Sequence, residues 1–156
     1  MFKPSRFAVK TGTATSETSF LNAVDKAMIE ASVGEYNLIE VSSVLPAGTK
    51  RVDDFSEHRG AFLPAVISKN TGSGKELSAG LAWGFRKDGK GGYVMEDAKE
   101  KESIDDKALK ENLEEMLIEM GETRGVKLEK IDIKYDKVKV EADKYGCAIA
   151  ALVYLP

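Results

Sequence analysis

The segment Cys147–Tyr154 reads Cys-Ala-Ile-Ala-Ala-Leu-Val-Tyr, and it does not alternate between an apolar and a polar face. A strand with one wet face would alternate, so this run suits the centre of a sheet, with Cys147 as a small buried hydrophobe. Two other stretches carry helical spacing. Between Phe20 and Ser32 the apolar residues are Leu21, Val24, Ala27, Met28 and Ala31, an i, i+3, i+4 pattern that Gly34 ends, with Thr18 the best-placed N-cap. The second predicted helix is capped at Ser103 and Asp106, carries Leu109, Leu113, Met116, Leu117 and Met120 on one stripe, and stops at Gly121. Strands are predicted at 6–10, 37–46, 61–68, 77–86, 93–96 and 126–140, with a loop at 13–19, a turn at 69–76 and a hairpin turn at 88–92. Pro64 puts its part of the 61–68 strand at an edge or a bulge. Two helices among mostly antiparallel strands make an α+β fold, and 156 residues suit one domain.

Charge and composition narrow the function classes. The net charge is −3, with a pI near 5.4, and no basic stripe marks a nucleic-acid surface. No apolar run approaches the roughly 20 residues of a membrane span. The opening Met-Phe-Lys-Pro-Ser-Arg-Phe is basic but leads into no apolar stretch, so no signal peptide is expected. The single cysteine excludes an internal disulfide and fits a reducing cytoplasm. With only one histidine, His58, beside it, a His/Cys metal site or a Cys–His nucleophile is not expected. Gly72-Ser73-Gly74-Lys75 looks like a phosphate loop, but Lys69 and Glu76 stand where that loop needs a glycine and a hydroxyl residue.

Three polar features interrupt the apolar pattern. The run Asn37–Pro46 is Asn-Leu-Ile-Glu-Val-Ser-Ser-Val-Leu-Pro, expected as a buried strand closed by Pro46. A buried hydroxyl without a partner costs about 1–3 kcal/mol, so adjacent Ser42 and Ser43 need a reason. They are either satisfied hydroxyls where the strand leaves its sheet, or the site of self-processing chemistry. Asp25 lies four residues after Leu21 and three before Met28, at the border of the helical stripe, where it either reaches water or enters a pocket to receive a cation. Alternation puts Glu96 on the face of Val94, opposite Tyr93 and Met95, as an outward charge or an acid facing a pocket. The polar segment 47–59, with His58 exposed on it, reads as a surface loop, a pocket rim or a subunit contact.

Taken in order and spacing, several stretches resemble the pyruvoyl-dependent arginine decarboxylases found mainly in archaea. They are Phe20-Leu21-Asn22-Ala23-Val24-Asp25, then Gly34, then Asn37-Leu38-Ile39 leading to Val41-Ser42-Ser43-Val44-Leu45-Pro46. Gly60-Ala61 with Pro64, Val94-Met95-Glu96 and Gly146-Cys147-Ala148 follow. The resemblance spans nearly the whole chain, and its specific part is the serine-pair element with the Leu-Asn-Ala-x-Asp element upstream.

The resemblance implies a four-layer αββα sandwich, assembled as a homotrimer or a dimer of trimers with sites between protomers. It implies cleavage between Ser42 and Ser43 into a smaller chain, 1–42, and a larger chain, 43–156. The Ser43 hydroxyl attacks the Ser42 carbonyl, the acyl group moves from nitrogen to oxygen, and β-elimination followed by hydrolysis leaves residue 43 as a covalent pyruvoyl group. That group stands in for pyridoxal phosphate. It forms a Schiff base with arginine, which loses CO2 to give agmatine for polyamine biosynthesis. In the roles so implied, Ser43 is the pyruvoyl precursor, Ser42 the cleavage site and Glu96 the proton donor. Asn37 organises processing or the site, Asp25 receives the guanidinium, and Leu21 and Val44 are apolar walls. No metal is implied. Val24 stands where a larger aromatic is expected, and segments 47–59 and 97–102 match no family pattern. Histidine or aspartate is therefore the alternative substrate, and an unprocessed structural or regulatory paralogue the alternative role.

Overall fold

The computed structural model describes residues 1–156. The elements, in chain order, are β1 (Arg6–Ser16), α1 (Phe20–Glu30), β2 (Asn37–Glu40), β3 (Val44–Leu45), β4 (Lys50–Arg51), β5 (Phe62–Gly72), β6 (Glu76–Arg86), β7 (Gly92–Lys101), α2 (Asp106–Thr123), β8 (Leu128–Lys139) and β9 (Tyr145–Leu155). The apolar C-terminal run is the heart of β9, which sits in the middle of a five-stranded sheet ordered β2-β5-β9-β1-β4 and pairs antiparallel with both neighbours. A second sheet, ordered β3-β7-β6-β8, is antiparallel throughout.

Alternation along β9 explains why both of its faces are apolar. Ala148, Ala150, Leu152 and Tyr154 join Phe7 and Val66 in a core shared with Leu77, Leu81, Trp83 and Val94 of the second sheet. Cys147, Ile149, Ala151, Val153 and Leu155 point the other way, onto Ala23 and Ala27 of α1 and its C-cap Ala31. Helix α2 covers the outer face of the second sheet through Leu109, Leu113 and Leu117, packed on Ala82 and Tyr93. The order α1, sheet, sheet, α2 is a four-layer αββα sandwich, and the α+β expectation holds. Ser68 and Asn70 of β5 stitch the sheets together, donating to the Asp97 carbonyl at 2.7 Å and the Lys99 carbonyl at 2.8 Å.

Several boundaries differ from the sequence reading. The expected loop at 13–19 is strand as far as Ser16, because β1 keeps its register with β9 through Ser16↔Tyr145. Ser19, not Thr18, caps α1 by accepting from the Asn22 N–H. Asp105, rather than Ser103 or Asp106, caps α2, which runs past Gly121 to Thr123. The 69–76 turn shrinks to 73–75 and joins β5 of one sheet to β6 of the other. Segment 47–59 contains the short edge strand β4. Pro64 lies in an inner strand, yet β5 begins pairing with β9 only at Ala65, so the missing N–H deprives no ladder.

Helix α1 approaches its sheet closely because its buried contacts are alanines. A Cβ on Gly12 of β1 would lie 2.2 Å from the Ala27 carbonyl oxygen. Gly12→Ala is therefore expected to destabilise the fold by about 1–3 kcal/mol, read as a lower thermal midpoint, because the obstructing atom is backbone and cannot rotate away. An unchanged midpoint would show that the helix is not seated this tightly.

Candidate active site

The run Asn37–Pro46 is not one buried strand. Its first part is β2, the edge of the five-stranded sheet beside β5; its last part is β3, the edge of the four-stranded sheet beside β7. Both pieces are edges, so Ile39 and Val44 stay about half exposed and only Leu45 is buried. Between them Val41, Ser42 and Ser43 carry the chain from one sheet to the other.

Each side of this crossing is fixed. The Val41 N–H donates to the Ala65 carbonyl at 3.0 Å, and the Val94 N–H donates to the Ser43 carbonyl at 3.0 Å. The peptide between the serines takes part in no backbone hydrogen bond on either its Ser42 carbonyl or its Ser43 N–H. Beyond it, the Tyr154 hydroxyl donates to the Val44 carbonyl at 2.9 Å, and the Thr49 hydroxyl to the Pro46 carbonyl at 2.7 Å. Gly91 allows β3 to lie this close to the hairpin: its φ is +100°, and a Cβ there would sit 2.3 Å from the Leu45 carbonyl oxygen.

Glu96 shares its strand face with the fully buried Val94, as alternation requires. Burial, and secondarily the negative charge of Glu40 on β2, push its carboxyl above the usual carboxylate range. Glu40 is a site neighbour that the sequence reading missed. Its signal was its place two residues before the serine pair, which needed the crossing to become meaningful. Tyr154 was missed as well, although a phenol at the end of an apolar strand must find a partner.

The structure does not bring every candidate together. Asp25 and Leu21 are exposed on α1, Leu21 by 82%, and Asp25 makes no salt bridge. The five-stranded sheet stands between that helix and the inter-sheet face carrying Glu96. Asn37 is at the far end of β2, about 16 Å along an extended chain from Ser42, and its amide donates to the Gly60 carbonyl at 2.9 Å. Asn37 also lines an apolar groove of about 450 Å³ with Val24, Met28, Tyr36, Leu38 and Ile67. His58 is exposed.

These residues fit a prosthetic group made from residue 43. The Ser42–Ser43 peptide contributes no ladder hydrogen bond, and the carbonyls of residues 43 and 44, on its C-terminal side, are each held by a donor.

The family model for pyruvoyl-dependent arginine decarboxylase matches residues 6–156. The chain belongs to this family. Pyruvoyl-dependent arginine decarboxylases of Methanopyrus kandleri and Pyrococcus abyssi are each 31% identical, covering 97% and 96% of this chain and 97% and 94% of their own. That of Methanocaldococcus jannaschii is 30% identical over 95% of this chain and 88% of its own. Among solved structures, a pyruvoyl-dependent histidine decarboxylase superposes with a TM-score of 0.52 at 21% identity, over 64% of this chain and 53% of that one, a likeness of fold.

For this family member, the raised Glu96 pKa has a thermodynamic consequence. The folded chain keeps the Glu96 proton at a pH where the unfolded chain has lost it. Stability therefore falls as pH rises from the ordinary glutamate pKa through the raised one. Glu96→Gln is expected to match wild type in thermal midpoint near about pH 3 and to exceed it near about pH 8. Equal midpoints at both pH values would mean Glu96 titrates as an exposed side chain.

Proposed function

We propose that the chain is a proenzyme that cleaves itself between Ser42 and Ser43, and that the mature carboxy-lyase converts L-arginine to agmatine and CO2. Family membership supports this, and one observation carries it: the Ser42–Ser43 peptide crosses between sheets and belongs to neither ladder. The products are chains 1–42 and 43–156, with Ser43 as the precursor of a covalent pyruvoyl group and no pyridoxal phosphate. That group supplies an electron-poor carbonyl that takes the substrate's α-amine and draws electrons from the carbon losing CO2. Glu96 delivers the proton that replaces the lost carboxylate. Its raised pKa suits this role, since a general acid must still hold its proton near neutral pH. Val44 borders the reacting centre from β3.

Asp25 receives the guanidinium in a charge-assisted, potentially bidentate contact, with Leu21 one helical turn before it as an apolar wall. Because α1 and Glu96 lie on opposite faces of one sheet, Asp25 and Leu21 of one protomer serve Ser43 of another. Asn37 organises the neighbouring site in the same way. The assembly is the homotrimer that the family resemblance implies, with sites between protomers. Exposed Leu21, Ile39, Val44 and Phe62 are the apolar side chains such interfaces would cover. The free, buried Cys147 is in keeping with a cytoplasmic enzyme.

Intact-mass measurement of purified protein tests the cleavage. Wild type is expected to give two chains broken at Ser42/Ser43, while Ser43→Ala stays at 17.0 kDa and inactive. A wild-type chain that remains whole would overturn the proposal. Asp25→Ala is expected to raise KM for arginine by about tenfold to a hundredfold while the chain is still processed. An unchanged KM would remove Asp25 from the binding site.

A further inference from the structure

This inference deepens the self-processing reading and rests on it. The two carbonyls that follow the serine peptide are held from different sheets. Val94 of β7 donates its N–H to the Ser43 carbonyl at 3.0 Å, and Tyr154 of β9 donates its hydroxyl to the Val44 carbonyl at 2.9 Å. Val94 is fully buried and Tyr154 is 3% exposed. A donor held in place on a buried residue needs little reorganisation when charge develops on its acceptor. Burial also pushes the Tyr154 phenol up to about 12, so it remains a donor through the neutral range.

Elimination at residue 43 concentrates charge on one of these oxygens. Once the Ser42 acyl group has moved from the residue-43 nitrogen to its Oγ, water takes the residue-43 Cα proton. The C–H electron pair becomes the Cα=Cβ bond, the Cβ–Oγ bond breaks, and Ser42 leaves as a carboxylate with the electrons of that bond. As the proton departs, its electron pair spreads into the adjacent carbonyl, whose oxygen gains enolate character. We infer that the Val94 N–H is the electrophilic donor to this oxygen, and that Tyr154 is a positioning residue that holds the Ser43 carbonyl on that N–H by fixing the Val44 carbonyl. Residue 43 keeps its carbonyl after cleavage, so Val94 retains the same acceptor in the mature chain.

The test uses two variants of the full-length chain. Tyr154→Phe keeps the ring and deletes the donor. Replacing Val94 with its α-hydroxy acid turns the N–H into an ester oxygen and leaves the side chain alone. Conversion of the 17.0 kDa chain is followed by intact mass with and without hydroxylamine, which cleaves an oxygen ester and spares the ordinary amide. The ester at residue 43 is read as hydroxylamine-dependent release of chain 1–42, told apart by mass from the cut between residues 93 and 94 that the backbone ester of the Val94 replacement itself gives. The Val94 replacement is expected to slow conversion about a hundredfold, and Tyr154→Phe about tenfold. In both, hydroxylamine-sensitive ester should accumulate, because the acyl shift precedes the impaired step. A purely structural role would slow the shift as well and leave no excess ester. That pattern, or wild-type rates in both variants, overturns the inference. If Tyr154→Phe fails to fold, the Val94 replacement decides alone. A wild-type chain that never converts instead overturns the processing reading itself.

Discussion

The apolar layer between the two sheets is the contact on which the rest of the structure depends. Phe7, Val66 and Leu152 meet Leu77, Leu81, Trp83 and Val94 there, all essentially out of water. Each large side chain so buried contributes about 1.5–3 kcal/mol. Stacked sheets lie roughly 10 Å apart, and a chain that belongs to both must cross that gap. From Glu40, the end of β2, to Val44, the start of β3, there are four Cα steps, a reach of about 13 Å when extended. Little slack remains, so the intervening peptide is kept from turning back onto either edge. The exposed, unpaired state of the Ser42–Ser43 bond thus follows from the packing of the core.

The same geometry accounts for the electrostatics. Crossing from β2 to β3 brings the end of β2, with Glu40, towards the face of β7 that carries Glu96. Burial alone raises the Glu96 pKa; a second carboxylate brought near by the crossing raises it further. Acid and serine pair are therefore organised by one structural feature. The cation-binding candidate Asp25 is separated from it by a whole sheet.

Much of this was legible in the sequence, because burial on one or both faces leaves a period. The unalternating run at Cys147–Tyr154 marked the central strand, and alternation put Glu96 with Val94. The helical stripe was right at Ala27 and Ala31, but the fully buried contact before them is Ala23 and not Leu21, which is exposed. What failed was the reading of Asn37–Pro46 as one buried strand. Val and Ile signal a strand whether it lies inside a sheet or at its edge, and nothing local distinguishes one strand from two pieces in different sheets. The Tyr154–Val44 bond, between residues 110 apart in the chain, was beyond any local pattern. Thr18 and Ser19 are both cap types, and Ser19 is the one whose hydroxyl, in extended backbone at the helix start, accepts from the Asn22 N–H.

Why a break at the serine pair need not release the first 42 residues follows from where their contacts lie. β1 pairs with β9 along eleven residues, from Arg6↔Leu155 to Ser16↔Tyr145. α1 buries Ala23 and Ala27 against that same sheet, and β2 is held along β5 from Asn37↔Phe62 to Glu40↔Ala65. β9 and β5 belong to the segment after residue 43, and α1, which also packs on β1, meets Cys147 and Ile149 of β9 there. The covalent link is thus not the main tie between the two parts: neither its Ser42 carbonyl nor its Ser43 N–H is hydrogen-bonded to backbone, and the strand and helix contacts of residues 1–42 do not run through it. On the C-terminal side, the Val94 and Tyr154 donors hold residues 43 and 44 through groups that residue 42 does not supply. A new chain end formed there would stay where the intact chain had put it, with its position set by the sheets and not by the bond that was broken.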